Sequence, residues 1–322
     1  MTRAGLPAGI RHAMLCAMGE FPPPSHHHGD PAASLRGCID LHMHSSFSDG
    51  EMPPEYLVEW AAELGLKAIS LTDHDTTRGL QRAIARGREL GVEVIPGCEI
   101  SVKLSGGTFH LLAYFYDLND EGFEGTLRDI ADKRETRNRK IVASLAEHGM
   151  PLTYEEVLEE AGEAVVGRPH IAAVMERNGY VTSRQEAFDK WISNDGPCYF
   201  EKDTFGPEEA LKFVREHHAV PVIAHPIWLN RGGLDKTEEY LKQLKEWGLM
   251  GLEAVYPDHD EVWTEGLKEI AKRLELIVTG GSDYHGGKTK PHTTLGHGEG
   301  GGFKVPGELL EALRKAREQA AR

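Results

Sequence analysis

Nine side chains stand out by type and position: His42, His44, Asp49, His74, Glu99, His110, His225, Asp283 and His285. Imidazole nitrogen mixed with carboxylate oxygen suits Zn²⁺, Mn²⁺ or Fe²⁺. His42 and His44 are two residues apart, as are Asp283 and His285, and on an extended backbone that spacing sends both side chains to one side, where they can grip one ion. The cysteines, Cys16, Cys38, Cys98 and Cys198, are scattered without a CxxC pair, which argues against a structural zinc site or an iron–sulfur cluster. Nine donors exceed the needs of one ion. Shared among ions of four- to six-fold coordination, with a carboxylate such as Glu99 as bridge, they suit two or three divalent cations. Three such ions bring about +6 and three acids return about −3, so a pocket of roughly +3 would favour a dianion. The chemistry expected there is phosphoester hydrolysis by attack of a metal-bound hydroxide, formed from a water whose pKa is drawn toward about 7. A satisfied core pair would explain His42 and His44 alone, but not nine ligand-type residues at strand ends. Asp73 and Asp75, beside His74, read as orienting groups.

These residues must be positioned by strands. From Cys38 onward short β-branched or apolar runs alternate with amphipathic helical segments: CIDLHM, PEYLVEWAAELG, KAISLT, GLQRAIARGRELG, VEVIPGCEIS and TFHLLAYFY. The alternation breaks over 119–208, where four helical segments follow one another, and resumes through AVPVIAHP, LMGLEAVYP and LIVTGGSDYH. The chain therefore reads as α/β: about seven strands in a closed or nearly closed barrel. Residues 1–36 form a disordered tail, 37–118 and 209–322 the two parts of the barrel, and 119–208 a helical insertion subdomain. All nine residues fall at or just beyond the C-terminal ends of predicted strands, the rim where such barrels gather residues distant in sequence, except that His110 sits nearer a strand start.

The formal charge of −15 disfavours binding to duplex nucleic acid, so a phosphate-bearing substrate must meet local cations. No apolar stretch approaches the roughly 20 residues of a membrane span. The N-terminus lacks the apolar run of a signal peptide, and a cytoplasmic location is expected.

Five segments, DLHMHSSFSDG (40–50), LTDHDT (71–76), GCEIS (97–101), AHP (224–226) and GSDYH (281–285), resemble the motifs of the polymerase and histidinol phosphatase, or PHP, family, in the right order. The resemblance extends from Asp40 to His285 and implies a distorted (βα)7 PHP barrel. It also implies three metal sites: His42, His44, Glu99 and Asp283; Glu99, His110 and His225; and Asp49, His74 and His285. Asp49 stands where many members place a third N-terminal histidine. The stretch GRPHIAAVMERNGY (167–180) is similar to a branch containing nucleoside 3′,5′-bisphosphate and 5′-nucleotide phosphatases and a 5′-to-3′ exoribonuclease. The expected substrate is thus a small phosphorylated nucleotide or the 5′ end of a short single-stranded RNA, with histidinol phosphate, or a catalytically silent PHP scaffold, as alternatives.

Arg168 and His170 open a helix and are candidates to bind the phosphate or a second anionic group. The basic run Lys133, Arg134, Arg137, Arg139 and Lys140 reads as a solvated face. The HHH of 26–28 falls in the tail, and His292 and His297 fall in a Gly-rich segment read as a flexible rim.

Overall fold

A computed structural model describes residues 35–104, 107–229, 232–287, 289–290, 292–299 and 303–321. The expected tail lies outside the described residues apart from Leu35 and Arg36, and so does its HHH.

The order is β1 (Ile39–Met43), α1 (Pro54–Glu63), β2 (Ala68–Leu71), α2 (Leu80–Leu90), β3 (Glu93–Leu104) and β4 (Gly107–Tyr114), then the helices α3 (Glu121–Glu147), α4 (Tyr154–Ala161), α5 (Arg168–Arg177) and α6 (Arg184–Ala187). After them come α7 (Pro207–Glu216), β5 (Val220–Ile223), a 3₁₀ turn (Pro226–Leu229), α8 (Leu234–Glu246), β6 (Gly251–Val255), α9 (Glu261–Arg273) and β7 (Ile277–Gly280). A two-stranded hairpin, β8 (Thr293–Thr294) and β9 (Gly298–Glu299), and α10 (Leu309–Ala320) complete the described chain. Local chemistry sets several boundaries: Pro54 opens α1 where its missing N–H costs nothing, and Gly91 closes α2 at φ +75°.

β1 to β7 form one sheet in sequence order. A bridge from Met43 to Tyr284 brings the chain after β7 back to β1, so the sheet is a nearly closed barrel. The distortion is β4, which runs antiparallel to both β3 and β5. Only Ser105 and Gly106 separate β3 from β4, far too few residues for the crossover that a parallel neighbour requires. Reversal turns the N-terminal half of β4 toward the rim formed by the C-terminal ends of the other strands. His110, which looked misplaced near a strand start, therefore stands level with His225: its carbonyl accepts the Ala224 N–H at 3.1 Å.

The main buried cluster lies between the sheet and its helices, including Leu57, Trp60, Leu211, Leu241 and Leu267. The helical segment has a separate core of Ile141, Leu145, Val157, Ile171, Met175 and Ile192. No helix among the described residues is long and apolar enough to cross a membrane. His297, expected in a flexible rim, is instead buried, in the turn between β8 and β9.

Candidate metal centre

The strand ends bring all nine side chains to one place, and Glu99 is its hub. Glu99 Oε2 lies 3.2 Å from His42 Nε2, 3.0 Å from His44 Nε2 and 3.2 Å from His74 Nδ1. Its Oε1 lies 2.9 Å from His110 Nδ1 and 3.2 Å from His225 Nε2. Asp283 Oδ1 faces His42 Nε2 at 3.5 Å and His44 Nε2 at 3.3 Å, and His285 Nε2 faces Asp49 Oδ1 at 3.3 Å. Ligands about 2.0 to 2.2 Å from a common ion are separated by about 3.0 to 3.5 Å, so these spacings are those of coordination edges.

The donors fit such ions in a second way. His42 Nε2, His44 Nε2, Asp49 Oδ1, His74 Nδ1, Glu99 Oε2 and His110 Nδ1 are buried without a hydrogen-bond partner. Buried polar atoms rarely stay unsatisfied, and six pointing into one volume need an external partner. Among the described residues, three groups have the spacing to share an ion: His42, His44, Glu99 and Asp283; His44, Asp49, His74 and His285; and His74, Glu99 and His110. The first matches the set expected from the resemblance. The second adds His44 to its set, and the third holds His74 where His225 was expected, although His225 still reaches Glu99 Oε1.

Neighbouring groups fix the rings. His42 Nδ1 donates to Glu253 Oε1 at 3.1 Å, and His285 Nδ1 to the Asp283 carbonyl at 2.8 Å; each leaves Nε2 with a free lone pair. Glu253 also accepts the His225 N–H at 2.9 Å and so spans two candidate ligands. His225 and Asp283 have φ of +30° and +51°, in the left-handed region that non-glycine residues avoid. Gly281 lets β7 close on His42, because a Cβ there would lie 2.3 Å from the His42 Cβ. Asp283 Oδ2 accepts from the Tyr256 hydroxyl at 3.0 Å and pairs with Lys290.

Without ions the cluster is strongly polarised. Burial pushes the His42 pKa down, but Glu253, Glu99 and Asp283 outweigh it and hold the imidazolium well above its usual range. Burial pushes Asp49 up, and His74, His285 and His44 reverse this to hold it well below the carboxylate range.

The carboxylates of Asp73 and Asp75 hydrogen-bond to none of the six imidazoles. Asp73 accepts from the Ser45 N–H, the Ser45 hydroxyl and the Ser48 hydroxyl, each at 2.7 Å, and braces the loop that carries Asp49. Asp75 accepts the Ser101 N–H at 2.8 Å and pairs with Arg134 of α3.

Two cavities flank the cluster and share His74 and His110. The smaller, about 170 Å³, adds Arg134, Arg137, Arg168 and Lys202. The larger, about 380 Å³, adds Phe109, Trp228, Leu229, Tyr256, Asp258 and Lys290. A still larger cavity, about 450 Å³, contains none of the nine residues, so volume alone does not mark the site.

Arg168 lines the cationic cavity, donating to the Ile192 carbonyl at 2.8 Å and lying over the Phe188 and Tyr199 rings. His170 is turned to the helix start, where its Nδ1 accepts the Gly167 N–H at 3.0 Å. The basic run of α3 is only partly a solvated face. Lys133, Arg139 and Lys140 are exposed, but Arg137 is buried and Arg134 points inward to Asp75. Arg137 Nη1 is buried without a partner, and burial together with Arg134 and Arg168 lowers its pKa to about 9. Burial and the same arginines push Lys202 well below its usual range, with Asp75 opposing. Sequence reading missed Glu253, Lys202 and Tyr256. Glu253 had a usable signal: a lone acid inside the apolar strand LMGLEAVYP must be buried with a partner.

The PHP domain pattern matches residues 40–180. The chain is 31% identical over 273 residues to a phosphoribosyl 1,2-cyclic phosphate 1,2-diphosphodiesterase of Eggerthella lenta, covering 83% of this chain and 98% of that protein. It is 28% identical over 262 residues to a 3′,5′-nucleoside bisphosphate phosphatase of Chromobacterium violaceum, covering 79% and 91%. The crystal structure of a protein from Bifidobacterium adolescentis described as a metal-dependent phosphoesterase superposes with a TM-score of 0.75 at 30% identity, covering 86% of this chain and 96% of that one. The buried His–carboxylate cluster at the barrel rim and these likenesses lead to one conclusion: the chain belongs to the PHP family of metal-dependent phosphoesterases.

Proposed function

We propose that the enzyme hydrolyses a phosphate ester of a small nucleotide that carries a second phosphate, with a nucleoside 3′,5′-bisphosphate as the representative substrate. The observation behind this reading is the pairing of an anion-demanding metal cluster with an adjoining cavity of about 170 Å³ lined by Arg134, Arg137, Arg168 and Lys202. In this reading His42, His44, Asp49, His74, Glu99, His110, His225, Asp283 and His285 hold two or three Mn²⁺, Zn²⁺ or Fe²⁺ ions. Bound there, the ions would supply a water of lowered pKa and Lewis acidity toward the phosphoryl oxygens. Glu253 and the Asp283 carbonyl orient His42 and His285 from behind.

The second phosphate lies against Arg134, Arg137, Arg168 and Lys202. Asp75 opposes the buried positive charge, Asp49 reaches the same cavity from the cluster, and the vacant Arg137 Nη1 is a donor ready for an anion. Arg134 and Arg137 come from α3 and Arg168 from α5, so the helical insertion 119–208 selects the substrate. His170 serves this site by holding the Gly167 turn next to Arg168.

The likeness to the Eggerthella lenta diesterase favours a second reading, a ribosyl cyclic phosphate opened at the same centre. Metal-loaded enzyme should be assayed with adenosine 3′,5′-bisphosphate, AMP, phosphoribosyl 1,2-cyclic phosphate, histidinol phosphate and a 5′-phosphorylated oligonucleotide. The bisphosphate should show the highest kcat/KM, and Arg137→Met should raise its KM roughly tenfold or more while leaving metal content intact. Preference for the cyclic ester would establish the second reading, and preference for the oligonucleotide or histidinol phosphate would overturn both.

A further inference from the structure

The two cavities beside the cluster have opposite chemistry. The cationic one gathers four basic side chains in about 170 Å³. The other is more than twice that size at about 380 Å³, is walled by Phe109, Trp228, Leu229 and Tyr256, and carries the exposed carboxylate Asp258. Its one ammonium, Lys290, is taken up by Asp283. Away from the candidate ligands His74, Glu99, His110, His225, Asp283 and His285, which form its floor, the walls of this cavity offer a phosphate no further cation, and Asp258 repels one.

Trp228 is the anomaly in that wall. It is 61% exposed, and of the exposed large hydrophobic side chains among the described residues it alone lines a cavity containing the candidate ligands. It is also held in place. The turn Pro226–Leu229 follows directly on His225, and the Trp228 N–H donates to the His225 carbonyl at 3.0 Å. Tyr256, in the same wall, donates its hydroxyl to Asp283 at 3.0 Å. The Trp228 backbone is thus fixed beside a candidate ligand while its side chain stands exposed at the cavity. An exposed aromatic plane on a fixed backbone is what a stacked ring requires, and the fixed backbone lowers the entropic cost of binding one.

We propose that this cavity seats the base of the substrate, with the open face of Trp228 as its stacking platform and Asp258 as the acceptor for an exocyclic amine. The assignment rests on the nucleotide reading above and adds a polarity to it: the second phosphate lies toward α3 and α5, the base toward β5 and β6, and the scissile ester between them at Glu99.

The test compares metal-loaded wild type, Trp228→Ala and Trp228→Phe on adenosine 3′,5′-bisphosphate and on base-less 1-deoxyribose 3,5-bisphosphate. Wild type should favour the nucleotide, and Trp228→Ala should raise KM for the nucleotide roughly tenfold more than for the base-less ester, with kcat for both changing little. Trp228→Phe, which keeps an aromatic face, should recover most of that difference. Equal effects on both esters, or none, in a wild type that still prefers the nucleotide overturn the platform alone. A wild type that turns over neither bisphosphate but cleaves another ester overturns the nucleotide reading and the platform with it.

Discussion

Glu253 shows how much of the centre is built by residues that hold no ion. Its carboxylate is fully buried on β6 and takes the Nδ1 proton of His42 and the backbone N–H of His225. It thereby fixes which nitrogen of His42 faces the cluster and stabilises the left-handed backbone at His225. Glu253→Gln keeps the shape but weakens the acceptor and can present an amide N–H to His42. The expected result is a loss of roughly 10- to 100-fold in affinity for Mn²⁺ or Zn²⁺, read by chelator competition, with little change in Tm of the metal-free protein. Unchanged affinity would leave Glu253 as a core acid with no part in ligand orientation. The nine candidate ligands were legible from residue type and strand position because imidazoles and acids at strand ends are conspicuous. The supporting residues were less so, since a single acid in an apolar run or an arginine in a charged helix looks ordinary until its partners are known.

Among the elements, α3 has the most varied work. Its first half packs Phe123, Leu127 and Ile130 into the barrel's cluster, its second half packs Ile141 and Leu145 into the helical core, and Arg134 and Arg137 project into the cationic cavity at the junction. The helix start is therefore a lever on the site. Asp120 caps it, accepting the Gly122 N–H at 2.9 Å and the Phe123 N–H at 3.1 Å, and His217 of the turn after α7 faces its other oxygen at 2.6 Å. Asp120→Ala should cost about 1 kcal/mol in denaturant unfolding. Burial pushes the Asp120 carboxyl up, but His217 and the two backbone donors hold it below its usual range. A depressed folded pKa means that this contribution is fully present above about pH 4 and is lost as the pH falls through the folded value. The stability gap between wild type and Asp120→Ala should accordingly narrow in acid, and a gap that stays constant down to acid unfolding would contradict the cap. α3 itself was legible from its periodicity, but the reversal of β4 was not, because TFHLLAYFY has the same apolar pattern in either direction. The usable signal was the two-residue link Ser105–Gly106, which is hairpin length.

At the scale of the whole molecule, the candidate ligands lie on or follow β1, β2, β3, β4, β5 and β7, so six of the seven strands contribute to the cluster. Ions bound there are contacted by nearly the whole barrel, and unfolding any part of the sheet removes ligands. Metal binding should therefore add to global stability rather than tighten one loop, by about 3 to 4 kcal/mol when free metal exceeds its dissociation constant 100- to 1,000-fold. Three carboxylates, the buried Glu99 and Asp283 and the partly buried Asp49, share a small volume and in the metal-free chain have imidazoles and Lys290 to balance them. Chelation followed by removal of the chelator should lower Tm and preserve a cooperative transition, and Mn²⁺ or Zn²⁺ should restore Tm in proportion to the logarithm of its free concentration. Mg²⁺ should restore far less, because it prefers oxygen ligands and gives up its waters reluctantly. Scanning calorimetry across a metal series makes the comparison directly: a Tm indifferent to chelation would mean that six strands converge on a cluster that binds no ion, and equal rescue by Mg²⁺ would mean that the histidines are not the ligands.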